Sequence, residues 1–414
     1  MTTLIKPFRG LRPTPERAAD VAAPPYDVLN TQEARQRASG RPLSFLHISR
    51  PEIDLPADTD PYAPEVYATG AGNLQRLIDA GVLIRDEAPR YYAYRLRMAE
   101  HEQTGVVCVG SIADYDNNRI RKHEFTRPKK EDDRVRQIAA LNAQTGPVLL
   151  AYRNSAAVRT ILDDVVEQTP AYDFVADDGI GHTLWVIDAA DRIDALTAAF
   201  DAMDALYIAD GHHRSAAASR VAAERNADTS GPGGNNDHDY FLCVAFPHDK
   251  TRILDYNRVV RDLNGRTPEQ FLHELAEAFD VIRADAPVRP SRPGQFGMYL
   301  DGRWYRLDIH DDRIPADDPV GSLDISLLQD NLIAPLLAVA DPRTDERIDF
   351  VGGIRGLAEL ERRVDSGEMK VAFALFPTGM EALMAVADAG AVMPPKSTWF
   401  EPKLADGLVS HVLD

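Results

Sequence analysis

The chain has 414 residues, and 46 Lys plus Arg stand against 65 Asp plus Glu, a formal charge of −19. That balance speaks against a general DNA or RNA surface, which needs cations to neutralise phosphates, and against docking on an anionic membrane. The length suits two domains or one large one, and 44% hydrophobic with 27% charged residues is the composition of a globular chain.

Taken in chain order, Ile5 to Asn30 carries prolines that block continuous helix and reads as an ordered loop. No apolar leader segment follows Met1, and no run approaches the roughly 20 apolar residues of a membrane span, so a cytoplasmic protein is expected. Leu43 to Ile48 reads as a buried strand and Glu65 to Ala80 as a helix stopped by Gly81. Tyr91 to Met98 and Thr104 to Ile112 predict a hairpin. Lys129 to Asn142 predicts a helix, Val148 to Tyr152 a strand and Ala157 to Glu167 a helix. Tyr172 to Ile187 predicts a second hairpin and Ala190 to Met203 an amphipathic helix.

The strand predicted over Asp204 to Ala209 runs into Asp210-Gly211-His212-His213-Arg214 and a helix to about Arg225. Asn226 to Asp239, rich in Gly, Asn and Asp, reads as a loop or linker. It separates an expected region 1–225 from an α+β region 240–414, although the strand Tyr240 to Phe246 follows at once and fits the same sheet. Further elements are a helix Pro268 to Phe279, a hairpin Met298 to Ile309, a helix Leu323 to Leu336 and a strand Lys370 to Phe376. Irregular alternation of helices and strands predicts an α+β fold, mixed sheets with flanking helices. Cys108 and Cys243 are too few for a disulfide framework and read as buried free thiols.

Strand, glycine turn and helix is the geometry of an anion site: the first N–H groups of a helix lack internal partners and its dipole favours negative charge. Gly211 admits close backbone approach, Arg214 adds a fork of donors and Ser215 a hydroxyl, with Asp210 at the strand end. His212 and His213 can bind phosphate oxygens or move protons. The plain alternative is an ordinary cap at Asp210 beside two surface histidines. A second segment, Arg119 to Arg136, holds eight basic and four acidic residues within this acidic chain. Arg127, Lys130 and Arg134 share a helical face, and Glu124, beside His123, is an acid–base candidate. A solvated, ion-paired helix is the alternative there. Asn142, Gln144 and Thr145 before a strand can read a polar ligand or close a turn. Lys396, with Ser397, Thr398 and Trp399, can frame a ligand mouth or pack. No residue pattern assigns a metal centre.

The stretches KPFRGLRP, APPYDV, HEFTRPKKEDDR, ALNAQTGP, YIADGHHRSAAA, ILDYNRVV, DFVGGIRG and MPPKSTWFEPKL span nearly the whole chain. They resemble the domain-of-unknown-function 1015 (DUF1015) family, also labelled SpoOJ/ParB-like. The Asp210–Arg214 motif is similar to the phosphate-binding motif of the ParB/sulfiredoxin superfamily. That resemblance implies a ParB/sulfiredoxin-like core and a nucleotide ligand (ATP, ADP or CTP) with Mg²⁺. Sulfiredoxin activity would need a Cys where His212 or His213 stands, and a DNA clamp would need a basic half that is lacking. The function it implies is a kinase of a small hydroxylated metabolite such as serine. Asp210, Gly211, His212, Arg214, Ser215, Arg127, Lys130 and Arg134 would hold phosphate. Glu124, His123 and His213 would be catalytic, and Asn142, Gln144, Thr145 and Lys396 would face the substrate. The alternative is a nucleotide-sensing module without metabolite chemistry.

Overall fold

Apolar and β-branched residues dominate the strands that build the largest sheet. A computed structural model describes residues 3–228 and 235–414. Chain contacts divide it into two units, Met1–Thr251 with Pro402–Asp414, and Arg252–Glu401. The first unit holds strands β1 (Ile5–Lys6), β2 (Gly10–Pro13), β3 (Leu83–Arg85), β4 (Tyr91–Met98), β5 (His101–Ser111) and β6 (Ile120–Arg121). These are followed by β7 (Ala143–Gln144), β8 (Val148–Tyr152), β9 (Tyr172–Val175), β10 (Gly181–Ile187), β11 (Leu206–Asp210) and β12 (Tyr240–Pro247).

Nine of these strands form one mixed sheet in the order β6-β11-β8-β12-β5-β4-β10-β9, with β1 added to β5. Two pairings are parallel, β6 with β11 and β8 with β12, and the rest are antiparallel. Both predicted hairpins are present. Strand β12 lies inside this sheet, so the chain stays in the first unit beyond the compositional break at 226–239. The helix after the glycine turn runs from His212 to Asp228, so Asn226 is helical, and Asn226 Nδ2 donates to Asp239 across 2.8 Å. The rest of that break, 229–234, lies outside the described residues. The units part instead at Thr251/Arg252 and Glu401/Pro402.

The helix His212–Asp228 meets the sheet through small side chains. Ala217, Ala218, Val221 and Ala222 are buried with Leu150, Ile208, Phe241 and Cys243. Each fully buried Val, Leu or Phe contributes roughly 1.5–3 kcal/mol. Cys108 and Cys243 are buried free thiols, as expected, and face each other across β5 and β12 with Sγ atoms 3.4 Å apart. A four-stranded sheet joins β3, β2, the C-terminal strand Ser410–Val412 and β7, and so returns the C-terminus to this unit.

One expectation fails locally. Leu43 to Ile48 is a turn leading into the helix Leu46–Ser49. Four apolar residues in six fit a buried strand or a buried helical turn equally well by periodicity. Here Phe45, Leu46 and Ile48 fill a second core with Leu74 and Leu77 of the helix Pro64–Asp79. Gly81 ends that stretch with φ +66°, as its placement predicts.

The second unit, described by itself, is built on a six-stranded sheet, every pairing antiparallel. Its order is Phe279–Ala284, Arg303–Ile309, Gln295–Leu300, Val371–Ala374, Tyr256–Val260, Ile348–Gly352. The predicted helix Leu323 to Leu336 is present in pieces, Asp324–Leu328 and Ala334–Leu337 around a wider turn at Gln329–Ile333. Sheets with flanking helices describe both units, and only the nine-stranded sheet of the first is mixed.

Candidate phosphate-binding site

Parallel pairing of β6 with β11 places the C-terminal ends of both strands at one edge of the sheet, Leu206 opposite Ile120 and Tyr207 opposite Arg121. The chain after β6 is Lys122-His123-Glu124. The chain after β11 is Gly211-His212-His213-Arg214. Two segments separated by about ninety positions therefore emerge side by side. Strand β8 runs antiparallel to β11, so its N-terminal end and the loop before it reach the same edge.

Gly211 turns the chain at φ +102°, a conformation that favours glycine, and an added Cβ would meet the Arg214 guanidinium at 3.0–3.3 Å. The helix then starts at His212, directed at this edge. Asp210 does not cap it through a free carboxylate. Its Oδ2 accepts from Lys403 Nζ at 3.1 Å, and its Oδ1 lies 3.8 Å from Arg214 Nη2. Burial would raise Asp210, but Lys403 and Arg214 together hold it well below the ordinary carboxylate value.

The histidines are not surface residues. His212 is buried, and its ring packs edge-to-face on His123 with centroids 4.5 Å apart. The backbone N–H of His123 reaches His212 Nε2 at 3.4 Å, and Glu124 Oε2 lies 3.9 Å from His212 Nδ1. Burial pushes His123 down to about 4, and burial with the neighbouring His123 pushes His212 well below its usual value, so both rings are neutral at pH 7. His213 accepts the backbone N–H of Arg127 on Nε2 at 3.0 Å. Burial and then Arg127 lower it as well.

The basic segment divides. Arg127 and Lys130 are exposed. Arg134 turns inward, donates twice to Asp133 Oδ2 at 2.7 and 3.1 Å and lies 3.9 Å over the Tyr26 ring. Arg214 also points inward, with Nη1 on Pro147 O at 2.5 Å. The Ser215 hydroxyl is buried and donates to His212 O at 3.1 Å.

The expected substrate residues separate in the same way. Asn142 takes the left-handed position at the end of the helix Pro128–Leu141, φ 49°, and accepts Arg225 Nη2 at 2.7 Å. Gln144 uses its amide on the Tyr240 carbonyl and the Leu242 N–H. Thr145 lines a polar cavity with Tyr26, Ser49, Arg134, Arg214 and Asp406. Lys396 belongs to the second unit. Among the described residues, three buried atoms around the cavity have no hydrogen-bond partner: Ser49 Oγ, Arg214 Nε and Asp406 Oδ1. Such a space accepts water or a small polar group. Burial raises Asp406 to about 7.

Lys403 and Asp406 were not anticipated. Lys403 stands within the stretch MPPKSTWFEPKL, and Asp406 follows it at the far end of the chain.

The family pattern described as protein of unknown function (DUF1015) matches residues 5–326. The chain belongs to the DUF1015 family. No curated protein matches it. Among solved structures, this DUF1015 chain is similar to a free serine kinase in complex with AMP, at 12% identity and TM-score 0.34, over 73% of this chain and 92% of that one. It is also similar to SbnI with a C-terminal truncation from Staphylococcus aureus, at 11% identity and TM-score 0.35, over 72% and 85%. A conserved hypothetical protein from Pyrococcus furiosus gives 13% identity and TM-score 0.33 over 72% and 93%. Likeness this loose assigns no residue and no activity to this chain. Among the described residues, no helix is long and apolar enough to cross a membrane.

Proposed function

We propose that the turn at Asp210–Ser215 binds the phosphates of a nucleotide (ATP, ADP or CTP), and that the protein transfers a phosphoryl group to a small hydroxylated metabolite such as serine. The observation that carries this reading is the meeting of the basic segment with the glycine turn: His123 packs on His212, and Arg127 bonds His213. In a chain of charge −19, exposed Arg127 and Lys130 stand in the segment that meets a helix N-terminus.

Phosphoryl transfer asks mainly for positioning and charge neutralisation. The helix start holds the phosphates, and Arg127 and Lys130 neutralise charge. Mg²⁺ binds chiefly through phosphate oxygens and water, and arrives with the nucleotide. The acceptor hydroxyl oxygen forms a bond to the terminal phosphorus, the bond from that phosphorus to the bridging oxygen breaks, and the hydroxyl proton goes to Glu124.

A second reading, a ParB-like nucleotide-sensing module without metabolite chemistry, has the same turn in its favour. Purified protein with Mg²⁺, each nucleotide and a panel of hydroxylated amino acids and sugars separates the two. Turnover that Glu124→Gln abolishes while nucleotide still raises the melting temperature supports the kinase. Stabilisation without turnover supports the sensor, and neither effect ends both.

A further inference from the structure

We infer that His123, Glu124 and His212 form a binding site for one divalent transition-metal ion of the Zn²⁺, Mn²⁺ or Fe²⁺ class. One nitrogen of each imidazole and one oxygen of the carboxylate all lie within 4.8 Å of one another. Two ligand atoms bound tetrahedrally at Zn²⁺ distances are about 3.4 Å apart, so closing on an ion asks for about 1.4 Å at most. Glu124 supplies that movement: its side chain is 52% exposed and turns about its own bonds, whereas the two rings are fixed by burial.

The rings are only partly satisfied without an ion, although the His123 ring does bond the Ile208 backbone. His123 is 2% exposed, and its Nδ1 has no hydrogen-bond partner among the described residues. Among the described residues, the His212 ring nitrogens have only long contacts, 3.4 Å to the His123 amide and 3.9 Å to Glu124. A buried polar group left unpaired loses its hydration with nothing in return. Two buried imidazoles packed edge-to-face also do nothing for the core that aliphatic side chains would not do better. An ion at the His123–His212–Glu124 cluster gives one nitrogen of each ring a partner.

The tautomers follow. Ligation through His212 Nδ1 leaves the proton on Nε2 and gives up the 3.4 Å amide contact.

Donor type sets the class of ion. Two imidazole nitrogens with one carboxylate suit Zn²⁺, Mn²⁺ or Fe²⁺, whereas Mg²⁺ and Ca²⁺ take oxygen ligands. Three protein ligands leave a coordination position open to water or to a phosphate oxygen. The site shares Glu124 with the phosphotransfer proposal and is tested apart from it, because it binds in the absence of nucleotide.

The test is equilibrium dialysis of the full chain against Co²⁺ and Zn²⁺ without nucleotide, with the Co²⁺ absorption bands as a second readout. One ion per chain is expected. His123→Asn, His212→Asn and Glu124→Ala should each weaken binding by more than the roughly 10–100-fold that outer-sphere partners are worth. His273→Ala, an exposed position in the second unit, should leave binding unchanged. Should the variants fail to fold, Cu²⁺ spin-echo spectra of the unaltered protein answer the same question, two coupled imidazoles being expected. No stoichiometric ion, equal binding in the folded variants, or a Cu²⁺ signal without two imidazoles overturns the inference. Metal binding that fails while nucleotide turnover persists leaves the kinase reading standing, and the reverse leaves the metal site standing.

Discussion

The backbone N–H of Arg127 donates to Nε2 of His213 across 3.0 Å, tying the loop after β6 to the second residue of the helix after β11. This bond fixes the exposed Arg127 beside the helix start where phosphate is proposed to bind. Removing the acceptor in His213→Leu frees the loop and loses Arg127 from the site. Nucleotide affinity is expected to fall about tenfold, or about 1.4 kcal/mol. At free nucleotide about 100 times its Kd, the stabilisation of roughly 2.7 kcal/mol shrinks accordingly in a thermal-shift titration. An unchanged titration would put the nucleotide elsewhere.

Lys403 Nζ and Asp210 Oδ2 form the second tie, 3.1 Å apart, with 25% and 32% of the two side chains exposed. Lys403→Met leaves Asp210 with Arg214 alone. The pair is half sheltered, so the expected cost lies between that of surface and buried ion pairs, about 2 kcal/mol at neutral pH. Asp210 sits below its ordinary 3.8 in the folded chain, so its contribution is whole above that value and is lost as pH falls through the folded value. The variant should therefore differ most from the parent near neutrality and converge with it in strong acid, read from urea unfolding. A constant difference down to strong acid would assign the loss to packing.

These ties show where the sequence was informative. The strand–glycine–helix unit at 206–228 is local: apolar strand, Gly211, then small residues at helical spacing. The hairpin of β4 and β5 is local too. The meeting of His123 with His212 depends on β6 pairing parallel to β11, and a two-residue strand has no periodicity to announce it. Lys403 and Asp406 join the site because Ser410–Val412 pairs with β2 and β7, a long-range choice that no local pattern announces. Arg134 shares a helical face with Lys130 in the sequence, but Asp133 and Tyr26 take its guanidinium inward. Leu43 to Ile48 was ambiguous between strand and helix for want of length.

A buried network away from the site gives a larger stability effect. Arg12 donates to Asp86 from Nε at 3.0 Å and from Nη2 at 2.8 Å, and Tyr92 OH donates to the same carboxylate at 2.5 Å. Arg12 Nη1 also donates to Tyr172 OH at 3.2 Å. Asp86→Asn leaves a buried guanidinium without its counter-charge and should cost about 3–5 kcal/mol. Replacing Arg12 and Asp86 together by Leu should cost less than Asp86→Asn alone, since no buried charge is then stranded. Chemical denaturation of the three proteins checks the order, and equal losses would show that the charge is not what matters.

Two buried groups of the first unit make opposite demands on pH. Burial lowers His182 to about 4, and its Nδ1 lies 2.7 Å from Tyr94 OH. That hydroxyl oxygen also accepts the Ala405 N–H at 3.3 Å, and its own hydrogen is available to the neutral ring at Nδ1. A folded value below the ordinary 6.5 favours the neutral ring. Its stability contribution is whole above pH 6.5 and is lost as pH falls to about 4, to the extent of about 3 kcal/mol. Asp406 runs the other way. Burial raises it from 3.8 to about 7, so its contribution is whole below pH 3.8 and is lost as pH rises through 7. In the parent protein the two slopes oppose each other across most of this window, and single variants separate them. Relative to the parent, His182→Gln should gain stability as pH falls from 6.5 to 4, and Asp406→Asn should gain as pH rises from 4 to 7. Unfolding of the three proteins at several pH values reads both slopes. A His182→Gln difference that is flat with pH would mean that the ring is not held neutral by its burial.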